Sequence, residues 1–135
     1  MRFPIKITDN LLLEPVLHTF GVNPETSFVA IEDGALEVSM GRWFHERIAL
    51  DQISALAPSD WPWWGGLGVK LAHHGVGVVG STENVVNIKF KSAQKVHALV
   101  VVDAEQLWVS VEDLNGFLGA LAEATKLPVG EPVKF

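Results

Sequence analysis

Between Ser27 and Val111 apolar residues tend to recur at every second position, whereas from Leu114 they recur at every third and fourth. That change of period constrains the fold more than any other feature. A strand puts alternate side chains on one face, and a helix aligns positions i, i+3, i+4 and i+7. Ser27-Phe-Val-Ala-Ile-Glu reads as a strand, and Asp33-Gly34 is a turn signal of the kind that joins hairpin strands. Leu36, Val38 and Met40 then share one face, opposite Glu37 and Ser39. Phe44, Glu46, Ile48 and Leu50 alternate with Trp43, His45 and Arg47, and Asp51 to Leu56 continues the sheet after a kink. Leu67, Val69 and Leu71 mark another strand, which His73-His74-Gly75 turns into Val76-Gly-Val-Val. Val86, Ile88 and Phe90 alternate with Asn87, Lys89 and Lys91. Val96 to Val102 reads as a more buried strand, and Leu107, Val109 and Val111 as the last.

Leu114, Phe117, Leu118 and Leu121 form one face of a helix. Ser110-Val-Glu-Asp has the spacing of a capping box and puts the helix start near Glu112. Lys126 sits near its end, where the helix dipole favours a cation, and Pro128 stops it. Gly116 and Gly119 each cost roughly 1 kcal/mol relative to alanine, which close approach to the sheet would offset. Residues 1 to 26 give a weaker pattern. Ile5 and Ile7 suit a short strand, Leu11-Leu-Leu-Glu-Pro is too short for a helix, and Phe20-Gly-Val-Asn-Pro reads as a turn.

The order is therefore about seven short antiparallel strands followed by one amphipathic helix. A sheet this small needs one face covered and its edges managed. A curled barrel or orthogonal sandwich with the helix over one open end does both. No linker or repeat divides the 135 residues, so the expectation is one mostly β domain, with a core over about 20–125 and a tail over 127–135.

Composition narrows the function. Apolar residues make up 48% of the chain and charged residues 19%, which argues against disorder. The net charge of −6 disfavours nucleic acid and anionic membrane surfaces, both of which call for a basic footprint. The absence of cysteine excludes disulfides, thiolate catalysis and cysteine-ligated zinc. No signal peptide and no membrane-spanning run of about 20 apolar residues is apparent, so a cytoplasmic location is expected.

Trp61-Pro-Trp-Trp-Gly-Gly-Leu-Gly carries three of the five tryptophans in four positions. Two explanations stand. The indoles of Trp63 and Trp64 cap the core, with Gly65 and Gly66 letting the backbone approach them. Alternatively Trp61 or Trp64 stays exposed and forms a contact with a partner or a second copy, since tryptophan is enriched at interface hot spots.

Several segments together resemble a bacterial pleckstrin-homology-like (PH-like) domain of a small uncharacterised kind. Phe20-Gly-Val-Asn-Pro leads into Ser27-Phe-Val-Ala-Ile, and Gly41-Arg-Trp-Phe precedes Arg47-Ile-Ala-Leu-Asp-Gln-Ile. The latter is similar to the arginine-isoleucine-proline-leucine strand of such domains, with Ala49 in place of the proline. Trp63-Trp-Gly-Gly-Leu-Gly-Val resembles the segment opening their second sheet, and Leu107-Trp-Val-Ser-Val-Glu-Asp their last strand and capping turn. The likeness spans roughly residues 20 to 125. It implies a PH-like barrel used as a binding or assembly module and not as an enzyme. Phosphoinositide-binding members carry basic residues along the first hairpin. Here that turn holds Glu32, Asp33 and Glu37, which would repel an inositol phosphate, so no phosphoinositide is expected.

Other candidate sites read as ordinary surface. His18, His45, His73, His74 and His97 show no metal-ligand spacing, and adjacent His73 and His74 would project to opposite faces of a strand. Glu32, Asp33 and Glu37 fit a wet hairpin tip better than a catalytic acid pair. Lys89, Lys91 and Lys95, with Arg42 and Arg47, form the one basic cluster and suit the solvated face of an exposed strand. No phosphate-cradling glycine loop opens a helix. The resulting expectation is a non-enzymatic interaction module without metal or cofactor. It would bind a protein partner or self-associate through Trp61, Trp63 and Trp64, together with Trp43 and Trp108. The alternative is a small-molecule-binding barrel whose pocket mouth these tryptophans line. Peripheral membrane contact through the tryptophan loop ranks last.

Overall fold

The computed structural model describes residues 1–7, 27–41, 44–62, 68–98 and 100–135. Trp43, Trp63, Trp64, Arg42, His18, the Leu11–Pro15 segment and the turn expected at Phe20–Pro24 lie outside the described residues.

The described chain forms two sheets and one α-helix. The first sheet has the order β1 (Arg2–Pro4), β2 (Phe28–Glu32), β3 (Ala35–Met40), β4 (Phe44–Ala49) and is antiparallel throughout. A 3-10 turn (Leu50–Gln52) carries the chain into β5 (Ile53–Ser59). The remaining strands are β6 (Gly68–Ala72), β7 (Gly75–Val79), β8 (Val85–His97) and β9 (Val101–Ser110). The second sheet has the order β5-β8-β9-β7-β6. The helix α1 spans Leu114–Thr125.

The Asp33-Gly34 hairpin forms as its sequence predicts. Both residues hold positive φ, +51° and +74°, the backbone that matches the twist of two-residue hairpin turns. Leu36, Val38 and Met40 face the core, as their alternation requires. Val76, Val78, Val86, Ile88, Leu107 and Val109 line the inner face of the second sheet and join the same core. Helix α1 packs on β5, β2, β8 and the 3-10 turn, with Phe117, Leu118 and Leu121 buried. Phe117 meets Phe3 edge-on at 5.4 Å.

Four expectations change. The described residues form nine strands, and β7 pairs with β9 in parallel, so the sheets are not wholly antiparallel. Among the described residues the sheets do not close into a barrel. After β1 the chain leaves the first sheet and bridges the second, with Ile5 opposite Val111 and Ile7 beside Gly80. At the other side His97 of β8 reaches β4, its backbone N–H donating to Glu46 at 2.7 Å. The stretch Val96–Val102 is not one strand. It is the tip where β8 turns into β9, with Val96 opposite Val102. A run of apolar residues long enough for a strand here spans a hairpin, because periodicity alone does not mark a reversal that lacks a strong turn residue.

The helix start also moves. Ser110 remains in β9, where its hydroxyl donates to the Lys6 carbonyl and accepts from the Gly80 N–H. Asp113 is the cap instead, its carboxylate accepting from the Gly116 N–H at 2.9 Å. A Cβ on Gly116 would strike that carboxylate, whereas one on Gly119 would meet nothing. So Gly116 makes room for the cap, and neither glycine is explained by approach to the sheet. Lys126 ends the helix in the left-handed region with φ +61°.

Candidate functional site

A second apolar cluster lies on the outer face of the second sheet, away from the main core. Because residues two apart on a strand share a face, the outer face of β7 is Gly75, Gly77 and Val79. On β9 it includes Trp108, whose register partners are Gly77 on β7 and Asn87 on β8. The two glycines leave a shelf without side chains, and two indoles occupy it. A Cβ on Gly77 would overlap the ring of Trp61, and one on Gly75 would come 2.9 Å from the ring of Trp108. Trp61 and Trp108 are consequently buried, at 5% and 3% exposure, with Val79 and Val85 beside them.

Phe135 completes the pocket. Its ring lies 5.0 Å from Trp61, 5.5 Å from Trp108 and 4.5 Å from the imidazole of His73. Tilted and edge-on arrangements of this kind are worth about 0.5–1.5 kcal/mol per aromatic pair beyond area burial. Phe135 arrives there because residues 127–135 run alongside β5. The Gly130 N–H donates to the Leu56 carbonyl at 2.9 Å and the Val133 N–H to the Pro58 carbonyl at 2.8 Å. The Asp60 N–H returns a bond to Val133 at 3.0 Å, and the pairing is parallel. The stretch expected as a tail is thus seated on the sheet edge.

The turn read at His73-His74-Gly75 is present: His73 and His74 form the two-residue connection between β6 and β7, with φ of +46° and +59°. Histidine tolerates this region better than most residues, though it remains uncommon for any side chain. Side-chain bonds support the turn. Asn87 donates to Gln106 at 3.1 Å, and Gln106 donates to the His73 carbonyl at 2.8 Å. The turn's position puts the His73 imidazole at the pocket rim, 6.3 Å from Trp108.

The Trp108 Nε1–H is buried and has no hydrogen-bond partner among the described residues. An unmet buried donor of this type costs roughly 1–3 kcal/mol. It is the polar group of the pocket that the described structure leaves without an acceptor.

Of the five tryptophans, Trp61 and Trp108 are brought together, and Trp61 is turned inward instead of being displayed on the surface. The sequence reading missed Phe135, His73 and the glycine shelf. Gly75 and Gly77 were the available signal, since glycines two apart in a strand mark a smooth face open to a large ring. Glu37 contacts His45 at 3.4 Å and Arg47 at 3.7 Å, so the Arg47 guanidinium partly neutralises this one carboxylate of the hairpin. Lys89, Lys91 and Lys95 are exposed, as a solvated strand face requires. Among the described residues no group of three or more histidines and carboxylates could hold a metal ion. No described helix is long and apolar enough to cross a membrane.

Compared with protein-family models, curated proteins and solved structures, the chain matches none of them.

Proposed function

We propose that this chain is a non-enzymatic PH-like interaction module that holds an extended apolar segment against the β5 edge. An aromatic side chain of that segment is anchored in the Trp61–Trp108 pocket. The observation that carries this reading is the seat itself. A glycine shelf, two buried indoles and a sheet edge already hold one extended segment with a phenylalanine in the pocket. Strand addition draws affinity from main-chain hydrogen bonds and specificity from side-chain pockets, and both parts are present. The acidic first hairpin supports a protein segment over an anionic lipid headgroup.

The test uses the full chain with Phe135→Ala, which empties the aromatic pocket, and with Gly130→Pro and Val133→Pro, which remove the two N–H groups that hold the chain's own segment on β5. A fluorescent peptide with the sequence of residues 127–135 is titrated in, and its anisotropy is followed. Saturable binding is expected, weakened about tenfold by a further Trp61→Ala, the loss of one buried aromatic contact. Absence of saturable binding overturns the reading.

One observation favours a small-molecule ligand instead. An open cleft of about 780 Å³ adjoins the pocket, lined by Asp60, Trp61, Glu83, Lys134 and Phe135 among others. A fragment library that quenches tryptophan fluorescence in the unmodified chain, and loses that effect with Asp60→Ala, would shift the assignment to this cleft.

A further inference from the structure

We propose that a cleft at the register break of β5, β8 and β9 binds a small phosphomonoester that also carries a hydroxyl or amino group. Two irregularities coincide there. Ser54 sits where β5 shifts against β8, between the pairs Ile53–Phe90 and Ala55–Lys89. On the other side β8 pairs with β9 at Lys89–Gln106 and again at Gln94–Ala104, so residues 90–93 oppose the single residue Glu105. Inserted residues of this kind bend a strand and re-aim its side chains, and they are common beside active sites. The breaks open a cleft of about 320 Å³ lined by Ser54, Lys89, Lys91, Ser92 and Glu105, with Phe90 buried in the core beside it. Its charges are unpaired. Among the described residues Lys89, Lys91 and Glu105 make no ion pair and the Ser54 hydroxyl makes no hydrogen bond, whereas Lys6 and Arg47 both meet carboxylates. Ser92 is fixed by donating to Gln52 at 3.0 Å, which sets one wall of the cleft before a ligand arrives. Two ammonium groups are compact point charges that suit a tetrahedral phosphoryl group, which carries about −1.5 to −2 at pH 7. A planar carboxylate is better matched by an arginine fork, and no arginine lines the cleft. Ser54 adds a hydroxyl donor. The Glu105 carboxylate would repel a bare anion, so it selects a phosphomonoester whose other end brings a donor. The volume lies at the small end of the range for ligand pockets, which suits a compound of this size. This cleft is separate from the aromatic pocket, and its occupancy does not depend on what fills that pocket.

The test is an amide NMR titration of the full chain with O-phosphoethanolamine, a probe that carries both groups. Saturable shifts are expected at Ser54, Lys91, Ser92 and Glu105. Lys89→Gln/Lys91→Gln lowers the affinity at least about tenfold, and Lys89→Arg/Lys91→Arg, which keeps the charge, retains most of it. Both positions are exposed, so the thermal midpoint of each variant stays at that of the parent chain. Glu105→Gln separates recognition from mere structural support. It weakens binding of O-phosphoethanolamine and strengthens binding of inorganic phosphate, because the variant loses the acceptor for the amine and the repulsion of the anion together. Shifts that stay linear to the highest concentration, or that persist unchanged in the double glutamine variant, overturn the proposal. A Glu105→Gln chain that weakens both probes alike overturns the choice of a donor-bearing ligand. Co-sedimentation with vesicles containing phosphatidate, without a response to either soluble probe, overturns the assignment to a small compound.

Discussion

A methyl group on Gly77 would overlap the indole of Trp61. The contact ties β7 to the segment after β5 and makes Gly77 part of the outer cluster. Gly77→Ala should therefore destabilise the protein, although alanine is the better strand residue in isolation. The indole has backbone beneath it and Phe135 and Trp108 beside it, so overpacking of about 1–3 kcal/mol is expected. Urea unfolding monitored by tryptophan fluorescence reads this as a lower midpoint at unchanged slope. A midpoint equal to that of the parent chain would mean that Trp61 is free to move aside.

Gly116 gives a similar reversal inside a helix. Replacing a helical glycine with alanine ordinarily stabilises by up to about 1 kcal/mol. Here the new Cβ collides with the Asp113 carboxylate that caps the helix. Gly116→Ala should lose the cap, worth about 1 kcal/mol, and so come out neutral or destabilising. Gly119→Ala, with open space around its Cβ, should show the ordinary gain. Thermal unfolding of the two variants side by side decides the matter, and equal gains would remove Asp113 as the cap.

These two glycines show what the sequence made legible. The period-two face of β3 and the 3.6-residue face of α1 were readable because hydrophobic burial imposes them on every turn and strand. The Asp33-Gly34 turn was readable because its backbone needs residues that tolerate positive φ. The His73-His74-Gly75 turn was readable as the break between two strand-period runs, but its support by Gln106 from a distant strand was not. The parallel β7–β9 pair was equally hidden. Alternation says which face a residue takes, but not which neighbour or direction its strand takes. Trp61 and Trp108 could each be singled out as aromatic candidates. Their meeting with Phe135 depends on the path of residues 127–135, whose composition looks like a tail and whose backbone bonds make it a strand-like cover.

Removing the anchor should release that cover. In Phe135→Ala the ring contacts to Trp61, Trp108 and His73 disappear, while the backbone bonds to Leu56 and Pro58 remain. Amide exchange at Gly130 and Val133 should accelerate about tenfold, corresponding to about 1.4 kcal/mol of lost docking. Exchange in β3 should stay as it was, because the main core is untouched. Tryptophan emission should move to longer wavelength as Trp61 and Trp108 gain solvent. Unchanged protection at Gly130 would show that the backbone pairing alone holds the segment.

Glu83 offers a prediction in pH. The Lys6 ammonium donates a hydrogen bond to its carboxylate at 2.9 Å, and that bond, followed by the charge itself, holds Glu83 below the ordinary carboxylate range. The pair joins the segment after β1 to the loop between β7 and β8. A carboxyl whose value is lowered by folding contributes stability that is present above its unfolded value. That contribution fades as pH falls toward the folded one. Glu83 is fully exposed and the pair is screened by solvent, so its share of total stability should be small and reduced by salt. Carboxyl NMR titration checks the direction. The Glu83 midpoint should lie below that of an unpaired glutamate and return to the ordinary range in Lys6→Met. Raising salt to 1 M, where the Debye length is about 3 Å, should move it part of the way back. A midpoint that ignores both Lys6→Met and salt would mean that the ion pair does not persist in solution.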